Sequence, residues 1–321
     1  MRHVPYSNEY ANIWNQFVMQ AENGTFLFHR HFMEYHQDRF QDASVLLFND
    51  KNQLVAVFPA NKRDHIIYSH QGLTYGGIIL KERKHIQDII RFLYAIIKYY
   101  KEQGIKQIIY KPVPNYIAQK PCDAEHFIMN MLNAQLLRVD TSFVIHLYES
   151  IELQERRKRS IKKAQKLPIE IKIDNNFHAY WKEILEPNLW ARYQAKPVHS
   201  LEEILLLHHR FPNNILQANA YLHKKIVAGI TLFIFPQTVH CQYISSIDEG
   251  RQTGALDVLF YHLMQQYLNS KRYFSMGTSN NNGRDLNTGV SEYKESFDAK
   301  IYAHFHYSLN TTYICQLEKF I

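Results

Sequence analysis

Leu216-Gln217-Ala218-Asn219-Ala220-Tyr221-Leu222, then His223-Lys224-Lys225, then Ile226-Val227-Ala228-Gly229-Ile230-Thr231-Leu232-Phe233-Ile234-Phe235 reads as two strands around a tight turn. Both apolar runs have strand length, and a polar triplet separates them. Val239 to Ser245 continues as a third strand. Gly254 to Leu268 then changes period: Leu256, Leu259, Phe260, Leu263 and Met264 fall on one helical face. Arg272 to Met276 returns to strand and runs into a polar loop containing glycine. Hairpin, strand, long helix, strand is the order of an α/β unit.

Upstream, the same order occurs once more. Ser44–Phe48 and Leu54–Ala60 flank Asn49-Asp50-Lys51-Asn52, a turn by composition. Short strands are expected at Ile66–Ser69 and Gly77–Leu80, after a short helix over 29–40. From His85 to Tyr100, residues Ile86, Ile89, Ile90, Leu93, Ile96, Ile97 and Tyr100 recur at helical spacing, and Gly104 stops the helix. Ile105 to Val113 is the following strand, closed by Pro112 and Pro114. Two similar units imply an internal duplication, with domains at 1–150 and 151–321. The stretch Tyr302–Leu309 alternates like a strand and is free to return to either domain. Between the halves, Glu155-Arg156-Arg157-Lys158-Arg159-Ser160-Ile161-Lys162-Lys163-Ala164-Gln165-Lys166 is a very basic helix ended by Pro168, expected to be solvated. Ser200-Leu201-Glu202-Glu203 is a capping box that opens another helix.

Composition sets the outer limits. The chain has 321 residues, enough for two ordinary domains, and its 46% hydrophobic and 21% charged residues are those of a folded globular protein. The formal charge of +7 favours anionic partners, although a solvated basic face explains it equally well. Cys122, Cys241 and Cys315 are too far apart for a metal knuckle or a disulfide framework, which points to a reducing compartment. No apolar run is long enough to span a bilayer. A soluble cytoplasmic protein is therefore expected, with no membrane insertion and no DNA partner.

Three segments offer chemistry. In Ile247-Asp248-Glu249-Gly250-Arg251-Gln252-Thr253-Gly254, a loop opens a helix after a strand. Such a helix start attracts phosphate, and Arg251 would add a bidentate charge; an ordinary turn with a surface arginine is the plain alternative. Met276-Gly277-Thr278-Ser279-Asn280-Asn281-Asn282-Gly283-Arg284 ends a strand in small and amide residues, leaving donors open at a sheet end. Lys294, between Tyr293 and Phe297, would be partly desolvated and held against a carboxylate or a developing oxyanion, or else is a snorkelling surface lysine. Leu189 to His199 carries Arg192, Tyr193 and Lys196, suited to an anionic or sugar-bearing ligand, or simply ends an amphipathic helix.

Metal sites are not expected. His29 with His31, and His304 with His306, would each share one side of a strand, but no carboxylate or thiolate lies within two residues of either pair. Nucleophile-elbow, Walker, dinucleotide and H-E-x-x-H motifs are absent from the sequence.

Taken in order, several stretches resemble the Fem family of aminoacyl transferases, the FemAB-like branch of the GNAT superfamily. They are Arg157–Lys166, Lys225-Ile226-Val227-Ala228-Gly229, Tyr243-Ile244-Ser245-Ser246, the helix 255–268, Phe274-Ser275-Met276-Gly277, and Gly289 with Tyr293-Lys294-Glu295-Ser296-Phe297. The resemblance implies an α/β (α+β) fold of two tandem GNAT-like domains, each a mixed, mostly antiparallel sheet flanked by helices. It also implies an acyl-CoA or an aminoacyl-tRNA as donor co-substrate, with no cofactor bound permanently. The lysine of the aromatic–Lys pair, here Lys294, is implied in transfer, with Tyr293 beside it. The coiled-coil arm of some Fem proteins is absent, and the GNAT pyrophosphate loop is matched at Arg251 and Gly254 but has Leu256 in its last place.

The expected function is acyl transfer from acyl-CoA to an amine of a sugar, amino acid or cell-envelope precursor. Arg251, Gly254, Tyr243 and Ser245 would hold the donor. Arg192, Tyr193, Lys196, Gly277, Ser279 and Asn280 would hold an anionic or nucleotide-linked acceptor. An aminoacyl-tRNA-dependent ligase of peptidoglycan cross-bridges, with tRNA as partner, and a non-catalytic ligand-binding protein stay open as alternatives. The second domain is expected to carry the site, because the proline-rich loop after Val113 lacks the Gly-Asn cluster found after Met276.

Overall fold

Residues 1–82, 85–121 and 123–321 are described by the computed structural model of the chain, so Cys122 lies outside the described residues. The chain forms two units, Met1–Asp140 with Asn282–Arg284 and Ala303–Ile321, and Thr141–Asn281 with Asp285–Tyr302. The division falls inside the strand Gln135–His146 rather than at the expected 150. Nothing there resembles a linker: one continuous strand carries the chain from one unit into the next.

The second unit is built on the hairpin read first in the sequence. Its strands Ile215–Leu222 and Lys225–Ile234 pair antiparallel through a two-residue turn, His223-Lys224, with φ of 50° and 67°. Positive φ at both central residues is the hairpin turn that matches strand twist. The sheet order is Ile169–Ile173, Ile215–Leu222, Lys225–Ile234, Thr238–Ser246, Tyr273–Thr278, then the end of Gln135–His146. All these pairings are antiparallel except Thr238–His240 with Tyr273–Ser275, which is parallel. A parallel pair needs a crossover, and the helix Ala255–Tyr267 supplies it, burying Leu259, Phe260, Leu263 and Met264 against the sheet. The capping box forms as expected: Glu203 N donates to Ser200 Oγ at 3.2 Å, and Ser200 N donates to Glu203 Oε2 at 2.9 Å.

The basic helix Glu155–Ala164 is not simply solvated. Arg157, Ile161 and Ala164 are buried, while Arg156, Lys158, Arg159, Lys162 and Lys163 face solvent. The Arg157 guanidinium pairs with Asp257 of the crossover helix and donates from Nε to Ser296 Oγ at 3.0 Å. It also stacks over Tyr293 and Phe297, at 4.3 and 4.6 Å to their ring centres. Asp257 accepts further bonds from Tyr293 Oη at 2.7 Å and Ser160 Oγ at 2.5 Å. These bonds replace the water that the buried carboxylate has lost.

The first unit repeats the parallel pair but not the rest. Ile66–Tyr68 runs parallel to Gln107–Ile109, and Ile86–Glu102 is the intervening helix, burying Ile89, Ile90, Leu93, Ile96, Ile97 and Tyr100. Its hairpin Val45–Phe48 with Leu54–Phe58 instead joins Arg2–Pro5 and Ile79–Leu80 in a separate four-stranded sheet. Pro59 explains the departure: it cannot donate to a ladder, so the strand stops at Phe58, and Asn61–Arg63 begins a new pairing with Ile66–Tyr68. The helix expected over 29–40 is a short α turn, Arg30–Met33, followed by 3-10 structure, Glu34–Arg39. His29 and His31 therefore sit at a helix start and not on a strand. In the strand Lys300–Asn310, residues Tyr307–Asn310 pair with Gln107–Tyr110, and Leu309, Ile314 and Leu317 join the core of this unit.

Replacing Asp257 with Ala should cost about 3–5 kcal/mol, since it strands Arg157 as an unpaired buried cation. Denaturant unfolding of the two proteins measures it, and a loss below about 1 kcal/mol would mean the pair is not holding these helices.

Candidate active site

The parallel register of the second unit ends at His240 opposite Ser275. Beyond it, the strand Tyr273–Thr278 reaches Gly277, whose φ of 72° lies in the left-handed region that favours glycine. Parallel strands that stop pairing leave backbone groups open at their carboxyl ends, where ligands bind in open sheets. Lys294, on the helix Thr288–Glu295, fills this place from the side. Its Nζ donates to Gly277 O at 3.0 Å and Thr278 O at 2.6 Å, and stands 5.4 Å from the centre of the Phe143 ring.

Only 4% of Lys294 is exposed. Burial pulls its ammonium down to about 7, far below the ordinary lysine value of 10.5. Two of its three N–H groups have backbone acceptors, and the third has none among the described residues. Around it, His240 Nδ1 and Ser275 Oγ are 3.0 Å apart, and burial lowers the imidazole to about 4, with the Lys294 charge acting in the same direction. Burial raises the Cys241 thiol well above its usual value, so it is a packing group and not a thiolate. The Ser279 hydroxyl is buried without a hydrogen-bond partner among the described residues. Such an arrangement can donate one charge-assisted hydrogen bond to an oxygen in a water-poor place, and can exchange a proton near neutral pH.

The other expected residues separate. Tyr293 does not face this cluster with a free hydroxyl: it donates to Asp257, and burial followed by the Asp257 charge raises it well above a normal tyrosine. Asn280 Oδ1 accepts from Thr141 N at 2.7 Å and Thr141 Oγ1 at 3.0 Å. Tyr243 Oη lies 2.6 Å from His199 Nδ1 and accepts from His199 N at 3.1 Å, while its ring meets Trp181 edge-on. Ser245 Oγ accepts from Asn188 Nδ2 at 2.8 Å. Arg251 sits in a helix of its own, Asp248–Thr253, where the sequence suggests a loop. It pairs with Asp248 and donates to Ser246 O at 2.5 Å. Gly254, with φ of 75°, joins two helices, and a Cβ there would come within 2.9 Å of Ser160 Oγ. Arg192, Tyr193 and Lys196 are exposed at and just beyond the end of the helix Glu186–Tyr193. His240, Ser275 and Phe143 had no signal of their own in the sequence, since only strand register and the fold of the strand Gln135–His146 bring them beside Lys294.

The first unit has its own buried lysine. Lys111 Nζ donates to His70 O at 2.8 Å and Leu73 O at 2.5 Å, and Gly76 N donates to Lys111 O at 2.7 Å. Burial lowers this lysine to about 8. Here the chain crosses back over the strand end, with Gly76 bridging to Pro112, so the opening is stitched shut. A cavity of about 350 Å³ does occur in this unit, lined among others by Tyr6, Arg30, Glu34, Asp42 and His70. Its arginine is already paired with Glu34 at 3.0 Å and with Asp42.

No family model and no curated protein matches the sequence. Solved structures do. FemX superposes with a TM-score of 0.69 at 10% identity, over 99% of this chain and 100% of that one. A tandem GNAT protein from the clavulanic acid biosynthesis pathway superposes at 0.52, with 8% identity over 97% and 98%. The fold is tandem GNAT. The same tandem GNAT fold is shared with the C-terminal domain of a putative lysylphosphatidylglycerol synthetase from Agrobacterium fabrum, at TM-score 0.60 and 12% identity over 94% and 92%. No helix among the described residues is long and apolar enough to cross a membrane.

Lys294 also gives the tandem GNAT fold a testable pH signature. Its folded value, about 7, lies below the ordinary 10.5, so between these pH values the unfolded chain holds a proton that the native chain has released. Native stability must therefore rise with pH across that window, by up to about 1.4 kcal/mol per unit from this residue. Comparing urea unfolding of wild type and Lys294→Met from pH 6 to 10 isolates the effect; parallel curves would mean that the lysine is solvated.

Proposed function

We propose that the second unit transfers an acyl or aminoacyl group to an amine, with Lys294 donating its spare N–H to the oxygen of the reacting carbonyl. The single observation that carries this is the buried ammonium fixed by the Gly277 and Thr278 carbonyls where the parallel strands part. The amine nitrogen attacks the carbonyl carbon, a C–N bond forms, and the C–S or C–O bond to the donor breaks. The amine's proton leaves with the departing group or to solvent. Charge that gathers on the carbonyl oxygen meets a donor already oriented and already stripped of water, the condition under which such a bond contributes most. The open strand end of the second unit and the stitched one of the first support assigning the chemistry to the second. FemX and the lysylphosphatidylglycerol synthetase domain share the fold over nearly the whole chain, which agrees with transfer chemistry.

The arrangement of the cations supports one donor over the other. Arg251 is tied to Asp248 and the Ser246 carbonyl, and Gly254 is packed against Ser160, so neither is preset for the phosphates of coenzyme A. Arg159, Lys162, Lys163 and Lys166 are exposed, and none of them has a salt bridge among the described residues. A charged stripe of this kind tracks a nucleic-acid backbone, which favours aminoacyl-tRNA as donor. Coenzyme A thioester is the second reading, for which Arg251 would have to exchange Asp248 for phosphate. The acceptor is an amine of a sugar, an amino acid or a cell-envelope precursor.

Lys294→Ala should lower turnover on the correct donor by about 10²–10³-fold while leaving donor affinity nearly unchanged. Unchanged turnover would remove the lysine from the mechanism. In filter binding, the double substitution Lys162→Glu with Lys163→Glu should weaken aminoacyl-tRNA and flatten its salt dependence. A thermal-shift response to acetyl-CoA alone, lost in Arg251→Ala, would replace tRNA by the thioester. No transfer with either donor would leave a ligand-binding protein.

A further inference from the structure

The paired histidines of the last long strand acquire a partner only on folding. His304 and His306 project from one face of the strand Lys300–Asn310, and Asp140, from the strand Gln135–His146, completes the group. The nearest ligand-type atoms of the three lie within 4.8 Å of one another, and all three residues belong to the first unit. The absence of a carboxylate near this pair in sequence is thus corrected by the fold.

We propose that Asp140, His304 and His306 bind one divalent transition-metal ion of the zinc type. Three observations carry it. His304 is only 5% exposed, and its Nε2 is buried with no hydrogen-bond partner among the described residues. An imidazole nitrogen enclosed in this way costs free energy unless something bonds to it. His306 Nε2 stands 3.3 Å from Asp140 Oδ2. Two ligands on a tetrahedral zinc, each at about 2.0–2.1 Å, are separated by roughly 3.3–3.4 Å, so this spacing suits two atoms that share an ion. Finally, Asp140 Oδ1 accepts from Arg138 Nε at 2.7 Å, which orients the carboxylate so that Oδ2 is turned to the histidines. Outer hydrogen bonds of this sort hold the ligands of known metal sites.

Two imidazoles and one carboxylate are an N/O set of borderline softness that suits zinc and its neighbours, not calcium or magnesium. With three protein ligands, the fourth position belongs to water. Arg138 and Lys111 also face this place. Arg138 is neutralised by Asp140, and Lys111 is held by the carbonyls of His70 and Leu73. Their charges oppose a cation, so the site should bind more weakly than a closed thiolate site. Asp140 and His304 lie on strands continuous with the second unit, Gln135–His146 and Lys300–Asn310, and an ion joining them would stabilise both.

The test uses tag-free, full-length protein stripped with chelator. Titration calorimetry with Zn²⁺ should give one equivalent per chain, and Co²⁺ should give visible bands of a four-coordinate nitrogen–oxygen site. Zn²⁺ should raise the melting temperature of wild type and of His31→Ala, but not of His304→Ala or His306→Ala. Circular dichroism and the metal-free melting temperature of each variant separate lost binding from lost folding. If a variant fails to fold, the Co²⁺ spectrum of the wild type still decides. Absence of stoichiometric binding, absence of the cobalt bands, or binding that survives in a folded His304→Ala would each overturn the proposal.

Discussion

The ion pair between Arg157 and Asp257 is the constraint on which the second unit depends. It ties together three helices that also share one apolar core: the basic helix Glu155–Ala164, the crossover helix Ala255–Tyr267, and the helix Thr288–Glu295 that carries Lys294. Arg157 stacks on Tyr293 and Phe297 and bonds Ser296, all within a turn of Lys294. Once Tyr293 is fixed against Asp257, the helix has one rotation left to it, and in that rotation the neighbouring lysine points at the strand ends. The Tyr293 hydroxyl thus bonds within the chain, to Asp257, one residue before Lys294.

Lys294 and Lys111 show how one device serves two ends. Each is a buried lysine whose ammonium donates to two backbone carbonyls after a parallel strand. In the first unit, the chain returns across the strand end and the lysine fastens it. In the second, the strands part at His240 and Ser275, and the lysine stands at an opening with one donor unspent. The difference is one of backbone path, not of side-chain chemistry.

The basic helix likewise divides its charges by burial. Arg157 faces inward, where its charge is matched by a carboxylate and two aromatic faces, whereas the remaining cations lie exposed, with Lys158 paired to Glu155 and Arg156 donating to Glu292 O. A buried charge without a partner would be too costly to keep, and the exposed ones bear no such requirement. Structural and electrostatic duties thus fall to opposite faces of a single short helix.

Local periodicity determined the hairpin, the long helices and the capping box, because those depend on neighbours within a few residues: Ile226–Phe235, Ile86–Tyr100 and Ser200–Glu203 carry their own instructions. The order of these elements, with the aromatic–Lys pair at 293–294, was enough to make the tandem GNAT fold legible. The candidate site was legible in Lys294, Gly277 and Ser279, and not in its other members. Tyr293, Arg251 and Asn280 look identical in sequence whether they meet a ligand or another part of the chain, and only the folded chain supplies their partners Asp257, Asp248 and Thr141. Asp140 with His304 and His306, Phe143 with Lys294, and Arg157 with Asp257 are distant in sequence. Their proximity is set by strand register and helix rotation, which no local pattern encodes, because those depend on the whole core being buried at once.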